Sequence, residues 1–460
     1  MAQEFRTIGL LDHLGHGNLG DDATLTAVLS NIRSRCPDAE FVALCLNPFD
    51  TLHRHGITSY AIRRDSKIPP PPATSAAGSE QVSGTKGRLK ARLAKYPRLL
   101  GMLRAVNDAL VRRPKALIGE ISFLLESFRI ARRLDLLVIC GGGQLLDSWG
   151  GAWSFPYTLL KWVALAKLAG VRCYFLNVGA GPLQSSLSRR FIRYALQLSD
   201  YTSFRDHKSQ TLVQECGFRG PSEVLPDNVF ALDLSAMPVE NRQGEQRSVV
   251  AICPMIYCDP RVYWEKDQQV YDGFIGKLAD LGASLIEQDR RLALFSSDIR
   301  IDLPAIADLH TALTRKTSRL SLDRRWIRPY RVQSTEELIA TMSGVDFVVT
   351  CRFHGVVFAQ LLNKPVMALS HHPKVATLMA DFGMAEYCLD IRKSDAQLLK
   401  STFARLIANQ DEIRARMASK VAESRRLLAQ QFDAVFSRQA HVREAAPSLL
   451  TTAGIGESGR

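Results

Sequence analysis

The chain has few of the features that mark a metal site, a membrane span or a secreted scaffold. Its nine cysteines are scattered and no two form a C-x-x-C pair, so neither a structural zinc nor any other metal site is expected. Cys45, Cys140 and Cys173 fall inside apolar, strand-like runs, which points to buried, reduced thiols rather than a disulfide framework. No run of eighteen or more uncharged apolar residues occurs, and no transmembrane helix is expected. The opening MAQEFRTIGLLDHLG has no basic segment ahead of a long apolar core, so no secretory leader is expected either. These absences make the cytoplasm the expected location. No short-period repeat is present, which argues against a solenoid. Acids are scarce in one stretch. Residues 84–133 hold thirteen Lys or Arg against Asp108, Glu120 and Glu126, a local charge of +10 out of +13 for the chain. The remainder is close to neutral, which argues against a nucleic-acid partner and for one local basic element.

What is present is length and alternation. At 460 residues the chain exceeds the usual limit of one core, and two domains are expected. Strand-like and helix-like patterns alternate over 7–11, 22–35 and 41–46. The pattern then breaks. Residues 67–84 hold four consecutive prolines followed by Ala, Ser, Thr and Gly, and read as a linker. Residues 86–133 are basic, with apolar positions spaced for amphipathic helices. Alternation resumes with strands over 134–140, 171–178, 200–204 and 223–225 and helices over 157–169 and 187–198. A polar segment, 233–247, precedes a second series. Its strands are expected over 248–253, 291–295, 326–328, 345–350 and 365–369, its helices over 270–281, 303–313, 335–342 and 356–362. The expected organisation is a Rossmann-like domain over 1–240 carrying an insertion at 65–133, and a second over 241–394. A helical tail follows at 395–460, its end unstructured. Repeated βαβ alternation predicts an α/β fold of two doubly wound domains facing a cleft.

The chemistry-bearing residues cluster where strands are expected to end, the place where open α/β sheets bind ligands. The apolar run 345–350 is followed by Arg352, Phe353, His354 and Gly355 at the start of a helix. An Arg, a His and a helix N-terminus make an anion site with a proton-transfer group beside it. Lys374, after His371 and His372, is a further anion contact; two adjacent His point in different directions and do not suit a metal. Ser297 and Asp298 follow another strand. In the first half, Gly15-His-Gly-Asn18-Leu-Gly20-Asp21-Asp22 formally fits the dinucleotide fingerprint G-x-G-x-x-G. An acidic pair at the helix start is wrong for a pyrophosphate, and Asn47 stands where the ribose-binding acid is expected. Either Asp21 caps the helix, or Asn18 and Asp21 line the cleft and hold sugar hydroxyls. Gly141, Gly142 and Gly143 permit close backbone approach. With Trp149 and Trp153 they form either a sugar-stacking platform or a tight turn over core tryptophans. Arg205 and Ser209 can reach an anion, unless Arg205 is merely solvated, and Asp227 either positions a partner or caps a turn.

In this order the motifs resemble the polysaccharide pyruvyltransferase family. Its G-N-x-G-D-D/E element is similar to Gly17–Asp22, its G-G-G to Gly141–Gly143 and its G-x-G-P to Gly179–Pro182. Its R-D/E-x-x-S is similar to Arg205–Ser209, its D-x-x-F to Asp227–Phe230, its R-x-H to Arg352–His354, and a downstream Lys to Lys374. Phe353 departs from the usual Leu or Met, and the insertion 65–133 lies outside the common pattern. The resemblance implies a GT-B-like fold. It also implies transfer of the enolpyruvyl unit of phosphoenolpyruvate onto two hydroxyls of one sugar, giving a pyruvate ketal and free phosphate, with no cofactor. Arg205 and Arg352 would grip the substrate's carboxylate and phosphate. His354 would give a proton to the methylene carbon or take one from a hydroxyl. Asn18, Asp21, Gly142, Gly143, Ser209, Asp227, Ser297 and Lys374 would bind substrate. The acceptor would be a polysaccharide or its lipid-linked precursor. Residues 86–130 would touch an anionic membrane, with Leu99, Leu103, Val106 and Leu110 facing the interface and Arg98, Arg104 and Arg112 the headgroups. The bland reading of that stretch is a hairpin packed on the first domain. A GT-B sugar-nucleotide glycosyltransferase and a non-catalytic binding protein on the same fold are the competing functions.

Overall fold

The computed structural model describes residues 5–64, 66, 113–235, 237–238, 247–320 and 326–436. The first half of the chain builds one parallel sheet. β1 (Thr7–Leu11), α1 (Leu19–Arg35), β2 (Glu40–Cys45), α2 (Pro48–His55) and β3 (Thr58–Ala61) precede the break. α3 (Arg113–Ala131), β4 (Leu136–Ile139), α4 (Phe155–Leu168), β5 (Arg172–Val178), α5 (Ser186–Gln197), β6 (Tyr201–Phe204), α6 (His207–Glu215) and β7 (Glu223–Val224) complete it. The strand order is β3-β2-β1-β4-β5-β6-β7, all parallel.

The second half repeats the plan. β8 (Val249–Cys253), α7 (Gln268–Glu287), β9 (Arg291–Leu294), α8 (Leu303–Lys316), β10 (Ile327–Pro329) and α9 (Thr335–Ser343) form one wing. β11 (Phe347–Thr350), α10 (Phe353–Leu361), β12 (Val366–Ser370), α11 (Pro373–Asp381) and β13 (Cys388–Asp390) form the other. The order is β10-β9-β8-β11-β12-β13, again parallel. β4, β8 and β11 are buried at every position. Helices therefore cover both faces, which is why these strands read as unbroken apolar runs. Each sheet reverses direction of winding at one point, between β1 and β4 and between β8 and β11. Ligands bind at such switch points.

Several short elements escaped the periodicity of the sequence. α2, β3, α6, α11 and β13 span three to nine residues, too few turns or alternations to stand out. Asn47, read against a ribose acid, is instead the cap of α2, its side chain accepting from the Asp50 amide. The helical tail expected from residue 395 is two helices, α12 (Ala396–Ala408) and α13 (Gln410–Phe436), broken at Asn409. α13 returns to the first sheet. Gln431 is buried there and bonds Asn177, Ser203 and Tyr201 at 2.9–3.0 Å. Phe436 packs edge-on against Tyr174. One apolar core thus runs from the α1 face of the first sheet through α13 into the second half, and a separate core fills the α4–α5 face. Cys45, Cys140, Cys173, Cys253, Cys258 and Cys351 are buried, and all nine cysteines are free thiols. Leu99, Leu103, Val106, Leu110, Arg98, Arg104 and Arg112 lie outside the described residues.

Candidate active site

The two halves meet through the glycine-rich loop that follows β1. Leu19 N donates to Ser297 O at 2.8 Å and Ile299 N to Gly17 O at 2.9 Å, with Asn18 and Asp298 paired as an antiparallel bridge. Gly15 and Gly17 have φ of 95° and 81°, a conformation open to glycine at little cost. Asn18, not Asp21, caps α1. Its Oδ1 accepts from Gly20 N at 3.1 Å while its Nδ2 donates to Asp21 Oδ2 at 2.9 Å. Asp21 is thereby held at the cleft, beside Gly142. A methyl group built on Gly142 would lie 3.7 Å from Asp12 Oδ1 and 3.8 Å from Asp21 Oδ1.

His354 is the second residue of α10, and its ring rests on α1. A Cβ on Gly20 would fall 1.9 Å from His354 Nδ1, so only glycine lets the two helix N-termini approach this closely. His354 is buried and its Nε2 has no hydrogen-bond partner among the described residues. Burial, followed by the Arg205 and Lys374 charges against the pull of Asp227, pushes its pKa down to about 4. The imidazole is neutral at neutral pH, which suits a proton acceptor.

Two cations from different halves approach one ring. Arg205 Cζ lies 4.2 Å from the Phe353 ring centroid and Lys374 Nζ 5.9 Å from it. The Arg205 side chain is only 6 % exposed and is held 3.4 Å from Asp227 and 3.5 Å from Asp206. Gly179 makes room for it, because a Cβ there would meet Arg205 Nε at 2.5 Å. A Cβ on Gly143 would lie 3.9 Å from Arg205 Nη2. Lys374, near the start of α11, makes no side-chain hydrogen bond or ion pair among the described residues. Burial and the Arg205 and Arg352 charges pull its pKa down to about 8, against Asp21 and Asp227. Asp21 is pushed up to about 7 by burial and by Asp22, with Lys374 opposing.

Other residues singled out in the sequence have structural work. Asp302, fully buried, binds Arg352 through both oxygens, to Nε at 2.8 Å and Nη2 at 2.5 Å. Asp298 lies 3.5 Å from the same Nη2. Only Nη1 of Arg352 is left without a bond among the described residues. Ser209 Oγ accepts from Ala180 N at 2.9 Å. Its hydroxyl fixes the Gly179–Pro182 turn and is not directed to an anion by that bond. Ser297 contributes its backbone carbonyl to the contact between halves. Asp227 does both things weighed for it, capping a 3-10 turn through Val229 N at 3.1 Å and pairing with Arg205. Trp149 and Trp153 are 54 % and 66 % exposed and are not core residues.

Asp12 and Asp302 were missed. Asp12 is the first residue after β1, the strand-end position that singled out Arg352. It is buried, with Oδ1 accepting from His13 N and Gln144 Nε2 and Oδ2 without a partner among the described residues. Burial and the neighbouring Asp21 charge raise its pKa well above the ordinary carboxyl range. Asp302 carries no signal short of the fold, since it meets Arg352 across fifty residues.

Two parallel sheets with a cleft between their switch points define a two-domain enzyme architecture of the GT-B type. Solved structures of similar fold agree. Anabaena HepE, in complex with UDP, superposes with a TM-score of 0.52 at 14 % identity, covering 94 % of this chain and 100 % of that one. S. aureus MnaA, also with UDP, gives 0.50 at 10 % identity and 90 % coverage of both. The UDP-GlcNAc 2-epimerase of Neisseria meningitidis, bound to UDP-GlcNAc, gives 0.50 at 11 % identity, covering 90 % and 94 %. At these identities the likeness concerns fold alone. The sequence profile of the polysaccharide pyruvyl transferase family matches residues 18–373, the span that holds every motif described above from Asn18 to the edge of Lys374. The chain belongs to that family.

Proposed function

We propose that the protein transfers the enolpyruvyl unit of phosphoenolpyruvate onto two hydroxyls of one sugar, in a polysaccharide or its lipid-linked precursor, at the cytoplasmic side of the cell. The observation that carries this is the approach of both Arg205 and Lys374 to the Phe353 ring, next to a buried His354 whose Nε2 is unpaired among the described residues. A small trianionic substrate needs at least two cations, and Arg offers a planar fork where Lys offers a point charge. Nη1 of Arg352 supplies a third contact, and Asp302 positions that guanidinium.

In this reading the first hydroxyl adds to C2 of the substrate and its proton passes to His354. The Asp21 carboxyl, which holds a proton near neutral pH, gives it to the methylene carbon, which becomes the methyl group. The C2–O bond to phosphate breaks, the second hydroxyl adds to C2, and its proton returns to Asp21. Phosphate leaves with the proton held by His354. Two hydroxyl protons are thus shared between methyl and phosphate, and no oxidant or cofactor enters. Without side chains at Gly142 and Gly143, whose Cβ atoms would touch Asp21 and Arg205 at 3.8 and 3.9 Å, the sugar would approach the backbone between these two groups.

The experiment supplies phosphoenolpyruvate and a candidate lipid-linked oligosaccharide to the purified protein, and follows phosphate release and the ketal methyl group in the product. Because the solved neighbours hold UDP or a UDP-sugar, a panel of sugar nucleotides is run in parallel. Nucleotide release without phosphate release from phosphoenolpyruvate would replace this reading with glycosyl transfer. Neither product would leave a binding protein.

A further inference from the structure

α3 presents an apolar stripe to solvent. Ile118, Ile121 and Leu125 are 67 %, 49 % and 56 % exposed. Their i, i+3, i+7 spacing puts them on one face, and Arg129 continues the same line one turn on. The inner side of α3 packs on α4, where Lys161 Nζ lies 4.4 Å from the Phe123 ring and Tyr157 OH donates to Glu120 at 3.3 Å. Tyr157 carries the surface onward. It meets Trp153 at 5.4 Å, and Trp153 meets Phe191 edge-on at 5.5 Å. Trp153 and Trp149 are themselves largely exposed, on the turn that follows Gly143. Trp149 is braced edge-on by Phe155. Below this turn Arg63 bonds Ser154 Oγ at 2.9 Å, so it sits at the carboxyl ends of β3 and β4, on the cleft side of the first sheet.

Five large apolar side chains exposed on adjoining elements exceed what scattered surface residues explain. Their chemistry selects the partner. Tryptophans, whose rings have an apolar body and one N–H, favour the bilayer interface. An amphipathic helix with cations around its apolar stripe binds anionic lipid. α3 itself carries Arg113, Lys115 and Arg129 against Glu120 and Glu126, Arg132 and Arg133 follow it, and the residues that lead into it, 84–112, carry a further +7, a sequence charge complementary to such a surface. We propose that α3 and the Trp149–Trp153 turn form a docking face for an anionic membrane surface, placing the cleft mouth at the bilayer. Ile118, Ile121 and Leu125 fall within the stretch 86–130 expected to touch a membrane but are not the positions Leu99–Leu110 expected to face it, the Trp149–Trp153 turn lies outside that stretch, and the surface is independent of the reaction assigned to the cleft.

The test uses the full chain and needs no substrate of the reaction. Co-sedimentation is measured with phosphatidylglycerol–phosphatidylcholine vesicles and with phosphatidylcholine alone, at about 0.1 M and about 0.5 M salt. Two variants are compared, Ile118→Ser/Ile121→Ser/Leu125→Ser and Trp149→Ser/Trp153→Ser, whose exposed positions leave the cores intact. The intact chain is expected to bind only anionic vesicles, less at high salt, with tryptophan emission shifted to the blue and quenched by brominated lipid. Each variant should bind about ten-fold more weakly or worse. Absence of binding by the intact chain, or undiminished binding by both variants, overturns the proposal. So does a dimer in light scattering that both variants dissolve, or a Trp149/Trp153 variant altered only in half-saturation by a water-soluble saccharide.

Discussion

Replacing Gly20 by alanine should be destabilising in the native protein and stabilising once His354 is gone. The added methyl would lie 1.9 Å from His354 Nδ1, 2.0 Å from Cγ and 2.5 Å from Cβ, all inside van der Waals contact. Neither partner can easily yield. α1 is pinned at its start by the Asn18 cap and by Leu19 N on Ser297 O, and His354 sits in the first turn of a fully buried helix. Overpacking of this kind costs about 1–3 kcal/mol. In a His354→Gly background both the ring and the Cβ that would lie 2.5 Å from the new methyl are absent, and Gly20→Ala should gain about 0.4–1 kcal/mol by restricting the unfolded chain at a helical position. A double-mutant cycle of denaturant midpoints should therefore show a coupling of roughly 2–3 kcal/mol. Turnover should fall about 10²–10⁴-fold in all three variants, because each displaces or removes one proton-transfer group. Equal destabilisation by Gly20→Ala in both backgrounds would refute the packing of the ring on α1. A fully active Gly20→Ala variant would refute the assignment of His354 at that position.

Lys374 should set an alkaline limit. Its cation is lost as pH rises through about 8, so the half-saturation concentration for phosphoenolpyruvate should climb above that pH, and Lys374→Arg should abolish the climb within the assay range. Arg205→Lys should raise the same half-saturation, since the planar fork stacked on Phe353 is lost while the charge stays; unchanged saturation kinetics would give Arg205 a purely structural role. Arg352→Ala should unfold more readily, by about 3–5 kcal/mol, because it leaves the fully buried Asp302 carboxylate unpaired; Arg352→Ala/Asp302→Ala should recover much of this in a thermal melt. Acid should destabilise the fold. His13 and His354, pushed down to about 3 and about 4 from 6.5, take up protons only in the unfolded chain as pH falls below 6.5, each adding a slope of up to about 1.4 kcal/mol per pH unit. Asp21, raised to about 7 in the folded state, and Asp12, raised well above the ordinary carboxyl range, act with the opposite sign as pH falls. His354→Gln should therefore show a shallower acid loss in urea midpoints taken from pH 6.5 to 4.

Much of the architecture is legible in the chain because parallel strands covered on both faces must be apolar throughout. β4, β8 and β11 announce themselves as such runs, with glycines just past the end of β4 and Arg352 just past the end of β11. Arg205, Arg352, His354 and Lys374 could be singled out by that rule alone, and Asp12 could have been. The spacing of Ile118, Ile121 and Leu125 likewise encodes an amphipathic α3. Short elements such as α2 and β13 were not legible, since one or two turns carry no period and their stability comes from what they pack against.

Tertiary structure decided which of these groups are free to act. Sequence makes Arg352 and Arg205 equivalent anion contacts; the fold clamps one in a close two-oxygen pair with Asp302 and sets the other against Phe353 near Lys374, with longer contacts to Asp227 and Asp206. It turns Ser209 to hold Ala180 and makes Asn18, not Asp21, the cap of α1. It also lays His354 on Gly20 across more than three hundred residues. The physical reason is that strand ends and helix caps follow from neighbours in the chain, whereas charge pairing, burial and the resulting protonation depend on which distant groups desolvate one another when the two sheets close.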